Sequence, residues 1–356
     1  MKKKALVILP SYSLGGAEKV LLSYFEYFSS SNIELKLLVI NGSTANAKNF
    51  NKNKIELTYD RFLFSLPKVI RLLKKEKFNF IISSFPNVSA LILLTKYLNL
   101  HTCKVIVRQP NMVAASLTGT FKLFMLKHIY IKLIKRADAV IVTSNHMFKE
   151  AKKNKIMNER IHILSNPIDL NRTRKNIKPF RTKGKGIKLV FVGRLVYQKG
   201  IDRILYLFKK FKDLELVLIG DGIEKERLEI MAKELNISKN IKFLGSKKNP
   251  FKYVAGADYF ILPSRWEGLP NCVIEALALG TPVIAFSEIK SLQDFSKNIE
   301  NKSLILCADL LELELEINNM RRRTDYKNPF LRKSLLKNYI TPKNYQNKIN
   351  NILLKI

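Results

Sequence analysis

The chain has 356 residues, 47% of them hydrophobic and 26% charged, and carries 63 Lys and Arg against 29 Asp and Glu for a formal net charge of +34. That length exceeds one ordinary hydrophobic core, so two domains are expected, and the mix of apolar and charged residues excludes a disordered or low-complexity chain. So large a charge implies an anionic partner, left open by composition between nucleic acid, anionic lipid headgroups and a phosphorylated ligand, unless a Lys- and Asn-rich surface only keeps the protein soluble.

The excess is uneven: residues 1–178 hold 31 Lys and Arg against 10 Asp and Glu, net +21, and residues 179–356 hold 32 against 19, net +13. At the start, Lys2 to Lys4 followed by Ala5–Leu9 imitates a signal peptide, but Pro10 and Ser11 end the apolar run too soon for an h-region, which predicts a first strand. The loop after it, Ser13-Leu14-Gly15-Gly16-Ala17-Glu18, opens a helix over Ala17–Phe28. Paired glycines there allow close backbone approach, and a helix N-terminus offers N–H groups to a phosphate; a tight turn that needs glycine is the alternative. The spacing is not G-x-G-x-x-G.

Further β-type runs follow at Leu35–Ile40, Phe80–Ser83, Val105–Arg108 and Ala139–Thr143, separated by helical patterns. This alternation predicts a doubly wound parallel sheet that binds ligands at its strands' carboxyl ends. The greasy stretch Phe121–Ile134 is broken by Lys122, Lys127, His128 and Lys132, so an ordinary spanning helix is not expected. Continued to Lys135 and Arg136, its mixture of Phe, Leu and Ile with Lys suits either an anionic interface or an ordinary domain helix.

Asn171–Gly186, rich in Lys, Arg, Gly and Pro, reads as a linker. The pattern then restarts, with strands at Ile187–Val192, Leu216–Ile219, Ile241–Leu244, Tyr259–Leu262 and Val283–Phe286, and helices at Ile201–Phe211, Glu224–Leu235 and Pro270–Leu279. The expected division is therefore 1–170, a linker at 171–186, a second domain at 187–340, and a terminal helix at 341–356 that would pack back on the first domain or stand apart.

Two stretches of the second domain carry chemistry. In Phe191-Val192-Gly193-Arg194-Leu195-Val196-Tyr197-Gln198-Lys199-Gly200, Arg194 and Lys199 lie five apart on a loop after a strand, where both cations could converge on a diphosphate; two solvated surface cations are the plain alternative. In Pro263-Ser264-Arg265-Trp266-Glu267-Gly268-Leu269-Pro270-Asn271-Cys272-Val273-Ile274-Glu275-Ala276, Pro270 suits the first turn of a helix, leaving N–H groups free for an anion. Glu267 and Glu275 could accept hydrogen bonds from sugar and ribose hydroxyls, or be an unrelated loop and helix glutamate. Cys103, Cys272 and Cys307 are too few and too scattered for a disulfide framework, which fits a reducing cytoplasm. His101, His128, His146 and His162 lack metal-ligand spacing, and no D-x-D pair is present.

Gly15-Gly16-Ala17-Glu18, Gly193-Arg194 with Lys199-Gly200, Gly220-Asp221-Gly222, and Glu267 with Glu275 in Glu-Gly-Leu-Pro-Asn stand in the order and spacing of the family-4 retaining glycosyltransferases, which the chain resembles over nearly its whole length. The resemblance implies an α/β protein of two Rossmann-like doubly wound parallel-sheet domains facing a cleft, the GT-B fold. It implies sugar transfer with retention from a nucleotide-sugar donor, here of the UDP class, and neither metal nor other cofactor. By carry-over, Arg194 and Lys199 hold the diphosphate, Glu267 faces the donor sugar and Glu275 binds the ribose. Gly268, Leu269, Pro270 and Asn271 supply backbone contacts, and Gly15 and Gly16 approach the phosphates.

Many relatives place a histidine after the strand that here ends in Val107-Arg108-Gln109-Pro110-Asn111, and this chain has none there. Arg108 and Asn111 are the acceptor-side candidates. After Ala285-Phe286, Ser287 to Asp294 replaces the usual glycine-containing turn before an acidic residue. A glycan or polyprenyl-diphosphate-linked acceptor at the cytoplasmic face of an anionic membrane is the expectation, and nucleic acid is not an expected partner. The competing readings are a basic nucleic-acid-binding protein, although no recognised module supports it, and a GT-B-like phosphorylase or epimerase.

Overall fold

Along the first strand, β1 (Lys3–Ser11), Ala5, Val7 and Leu9 join one core cluster and Leu6 and Ile8 another, and all five are fully buried. A strand apolar on both faces belongs inside a sheet covered on both sides. The computed structural model describes residues 2–12, 15–28, 32–42, 53–113, 121–180, 186–321 and 331–356. Ser13 and Leu14 of the first loop, residues 181–185 of the expected linker and the side chains of Phe121 and Lys122 lie outside the described residues.

The chain divides into two compact units, Met1–Pro167 with Ile340–Ile356, and Ile168–Tyr339. In the first, β1 is joined by β2 (Ile33–Asn41), β3 (Lys54–Glu56), β4 (Phe80–Ser83), β5 (Lys104–Arg108), β6 (Ala139–Val142) and β7 (Ile161–Ile163). Among the described residues these form a parallel seven-stranded sheet in the order β3-β2-β1-β4-β5-β6-β7. The terminal helix runs Pro342–Lys355 and belongs to this unit. Thr341 caps it, accepting from the Asn344 N–H at 3.2 Å. Its Tyr345, Ile349 and Leu353 fill the same core face as Val7, Leu9 and the Val20, Leu21 and Tyr24 side chains of the helix Gly16–Glu26.

The second unit repeats the plan with β8 (Ile187–Val192), β9 (Leu214–Ile219), β10 (Ile241–Phe243), β11 (Tyr259–Leu262), β12 (Val283–Phe286) and β13 (Leu304–Cys307). Among the described residues they form a parallel sheet in the order β10-β9-β8-β11-β12-β13. Both domains are thus Rossmann-like, with a strand order that reverses direction beside the first strand of each.

Three local features depart from the sequence expectation. The stretch read as linker begins with a helix, Leu170–Arg174, whose Asp169 cap accepts from the Arg172 N–H at 2.9 Å. Arg174, one of the basic residues that made it look like linker, donates to the Ala278 and Arg332 carbonyls at 2.5 and 2.7 Å. The segment expected as one helix, Ile201–Phe211, is a 3₁₀ turn, Ile201–Ile204, followed by a short helix, Leu207–Lys210. Ile201 and Ile204 are both buried, and the three-residue period of a 3₁₀ turn aligns side chains three apart. Finally, Pro270 occupies the N-cap position, and the helix itself is Asn271–Ala278.

Candidate functional site

The second unit gathers its unusual loops at the carboxyl ends of three neighbouring strands, β9, β8 and β11, where open parallel sheets bind ligands. The loop after β8 is held by two main-chain bonds to the β9 side, Gly193 N–H to Ile219 C=O at 3.0 Å and Leu195 N–H to Asp221 C=O at 2.9 Å. Contact is so close that a Cβ on Gly220, at φ +142°, would stand 1.8 Å from the Gly193 carbonyl oxygen. Gly200 plays the same part toward β11: at φ +64°, a Cβ there would meet the Pro263 carbonyl oxygen at 2.2 Å. Glycine at these two positions lets the β8 loop lie between its neighbours.

Lys199 ends a 3₁₀ turn, Tyr197–Lys199, on that loop, and its Nζ stands 2.5 Å from Glu267 Oε1. The same carboxylate oxygen accepts from the Ser264 hydroxyl at 2.9 Å. Both partners are largely sheltered, the Lys199 side chain 14% exposed and that of Glu267 6%. Burial penalises the Lys199 ammonium, but the Glu267 carboxylate outweighs it and holds the Lys199 pKa above the ordinary lysine value, with the nearby Arg194 charge working the other way. Arg194 itself is exposed. The two cations expected to act together are therefore close enough to feel each other, one paired inside the protein and one turned to solvent.

The Glu267 loop is fastened on all sides. Arg265 N–H donates to the Gln198 carbonyl at 2.8 Å, and the Gln198 amide donates to the Trp266 carbonyl at 2.8 Å. The Arg265 guanidinium grips both oxygens of Asp202, at 2.9 and 2.7 Å, and lies 3.9 Å from the Tyr197 ring centroid. The Ser291 hydroxyl donates to the Gly268 carbonyl from the segment Ser287 to Asp294. In that segment, Glu288 accepts from both terminal nitrogens of Arg203, at 3.3 and 2.7 Å. Gly268, Leu269 and Pro270 are buried, and Asn271, Cys272 and Glu275 half-buried, around the first turns of the helix Asn271–Ala278. Burial pushes the Cys272 thiol up to about 12 despite the pull of Lys199.

Residues 14–172 match the glycosyltransferase family 4 and residues 172–323 match the glycosyl transferases group 1. The chain belongs to the family-4 glycosyltransferases of GT-B fold. This glycosyltransferase is 28% identical over 287 residues to an uncharacterized glycosyltransferase of Methanocaldococcus jannaschii, a match that covers 75% of this chain and 68% of the relative. Over 169 residues it is 32% identical to the N-acetylgalactosamine-N,N'-diacetylbacillosaminyl-diphospho-undecaprenol 4-alpha-N-acetylgalactosaminyltransferase of Campylobacter jejuni, covering 47% of this chain and 46% of that one. Its fold matches that of Anabaena HepE, solved in complex with UDP and glucose, at a TM-score of 0.80 and 15% identity, covering 99% of this chain and 100% of that one.

The sequence candidates of the glycosyltransferase fall into two groups. Arg194, Lys199, Glu267, Gly268, Leu269, Pro270, Asn271 and Glu275 come together in the second unit. Gly15, Gly16, Arg108 and Asn111 belong to the first. Gly15 is the N-cap of the helix Gly16–Glu26 with an ordinary extended backbone, and the Glu18 carboxylate from the first turn lies where a Gly15 Cβ would be, 2.4 Å from that position. Arg108 is 2% exposed and donates inward, to Ser84 Oγ at 3.1 Å and Asn166 Oδ1 at 2.5 Å, so its described contacts tie β4, β5 and β7 together at their carboxyl ends. Asn111 is half-buried on the bend that follows. The residues that fasten the Glu267 loop, Gln198, Ser264, Asp202 and Ser291, were not among the sequence candidates, because their partners are set by the fold and not by spacing. Among the described residues no three His, Cys, Asp or Glu side chains cluster closely enough to hold a metal.

Proposed function

We propose that the protein transfers a hexosyl group from a nucleotide-sugar, of the UDP class, to a glycan or polyprenyl-diphosphate-linked acceptor with retention of anomeric configuration. The observation that carries this reading is the pairing of Lys199 with the buried Glu267 beside Arg194, at the carboxyl ends of β8 and β11. Arriving diphosphate oxygens would offer Lys199 a second anionic partner and would also meet the exposed Arg194, while the N-terminus of the helix Asn271–Ala278 adds backbone donors. Glu267, kept in place by Ser264, accepts from hydroxyls of the donor sugar, and Glu275 from the ribose.

As the bond from the anomeric carbon to the diphosphate lengthens, charge grows on the departing oxygen, where the two cations stabilise it. The acceptor oxygen forms the new bond on the same face, and its proton passes to the departing diphosphate. No covalent sugar–protein intermediate and no metal is required. The test is NMR of the first product formed from an α-linked UDP-sugar: an α-linked product is expected, and a β-linked one would refute retention.

The acceptor class is proposed by likeness to the Campylobacter relative, named as a transferase acting on a diphospho-undecaprenol-linked sugar, and the role proposed with it is assembly of a lipid-linked surface polysaccharide. Such an acceptor lies at a membrane, here at its cytoplasmic face. Among the described residues no helix is long and apolar enough to cross a bilayer. The helix Phe121–Ile134 exposes Phe124, Met125 and Ile129, followed by exposed Lys132, Lys135 and Arg136. Tyr97 and Leu98, also exposed, extend this face, with the Arg136 guanidinium 4.1 Å from the Tyr97 ring centroid. Apolar side chains flanked by cations suit an anionic headgroup layer. The protein should float with vesicles containing phosphatidylglycerol and not with pure phosphatidylcholine, and high salt should weaken that binding. Equal flotation with both lipids would exclude this surface.

A further inference from the structure

Resting on the transferase reading of this site, we infer that Gln198 is a positioning residue that fixes Glu267 toward the donor sugar and so leaves Lys199 free to be shared with the diphosphate. Gln198 joins the two loops at three points. Its carbonyl accepts from the Arg265 N–H at 2.8 Å, its amide nitrogen donates to the Trp266 carbonyl at 2.8 Å, and the same nitrogen stands 3.5 Å from Glu267 Oε2. The next residue in sequence, Lys199, holds the other oxygen of that carboxylate at 2.5 Å.

The Trp266 carbonyl belongs to the peptide bond that leads into Glu267, so a donor on it sets the direction in which the glutamate leaves the chain. Only a neutral donor suits this place. A carboxylate would repel both the Trp266 carbonyl and Glu267, and an ammonium would compete with Lys199 for Glu267. With Gln198 and Ser264 holding Glu267, the carboxylate keeps its place when Lys199 turns part of its hydrogen bonding to phosphate. Without Gln198, Glu267 would follow its ammonium partner, and displacement of about 1 Å at a reacting centre is enough to cost on the order of a hundredfold in rate.

The test compares Gln198→Ala and the near-isosteric Gln198→Glu with the wild-type chain, measuring turnover of the UDP-sugar that the wild type accepts, affinity for UDP and melting temperature. Gln198→Ala should lower kcat by about tenfold with UDP affinity held within about twofold, and should cause little further loss on a Glu267→Gln background, since coupled residues are not additive. Gln198→Glu, which conserves volume, should lose at least as much kcat. Wild-type kcat in both variants would overturn the inference, as would losses of equal ratio with and without Glu267→Gln. A wild-type chain that turns over no nucleotide-sugar would instead remove the transferase reading, and this inference with it.

Discussion

Replacing Lys199 by alanine is expected to lower kcat by about a hundredfold, the usual consequence of removing one preorganised group from developing transition-state charge in a sheltered site. The side chain is 14% exposed, so the ammonium acts where water screens it poorly. The variant has a second effect that must be separated from the first. Glu267, with its side chain 6% exposed, loses its charged partner and keeps only Ser264 and the distant Gln198 amide among the hydrogen bonds described above. Breaking one side of a buried pair costs on the order of 3–5 kcal/mol. Lys199→Ala should therefore melt earlier than wild type, whereas Lys199→Ala with Glu267→Gln should recover most of the melting temperature and none of the turnover. If the double variant regained activity together with stability, Lys199 would be a structural partner of Glu267 and nothing more. Wild-type turnover in the single variant would remove Lys199 from the site.

Much of the second domain was legible because its signals are local. β11 and β12 are unbroken apolar runs and β8 is interrupted only by Lys188, all three with the same bounds in sequence and structure, and glycines flank the loops that follow β8 and β9. β3 and β7, three residues each and mixed in polarity, went unread because so short a run has no period, and only neighbours already in a sheet make them strands, whereas β13, as long and as apolar as β11 and β12, was not among the expected strands. The linker was read from its Lys, Arg, Gly and Pro content, and the basic residues misled there: Arg174 is spent on the carbonyls of Ala278 and Arg332, which lie more than a hundred residues away in sequence.

The site shows the same division. Glu267 and Lys199 could be read as a loop carboxylate and a loop cation, but their 2.5 Å contact depends on β8 and β11 being neighbours, with Gly200 against Pro263. Sequence spacing treated the two cations alike, whereas Lys199 is paired with Glu267 and Arg194 is exposed. Arg108 was read as a residue at a strand end facing an acceptor. Its interior placement depends on Asn166, 58 residues later, which no local pattern indicates.

Glu275→Ala carries the second large effect, and it bears on donor recognition directly. Glu275 lies one turn into the helix Asn271–Ala278, half-buried, on the element that the Glu267 loop leads into. A carboxylate that accepts from two ribose hydroxyls contributes about 1.5–3 kcal/mol per bond, so its removal should weaken nucleotide binding by a hundredfold or more, on the order of the loss of both. A nucleotide at a hundred times its dissociation constant stabilises the native state by about 2.7 kcal/mol, and at that concentration such a variant would gain only a few tenths. The measurement to make is a thermal shift against a panel of nucleotides and nucleotide-sugars, on the wild-type chain and on Glu275→Ala. A rise of several degrees with one nucleotide class, about 2–4 °C per kcal/mol for a domain of this size, that vanishes in the variant is the predicted result. No rise with any nucleotide, beside tight and salt-sensitive binding to nucleic acid, would contradict it.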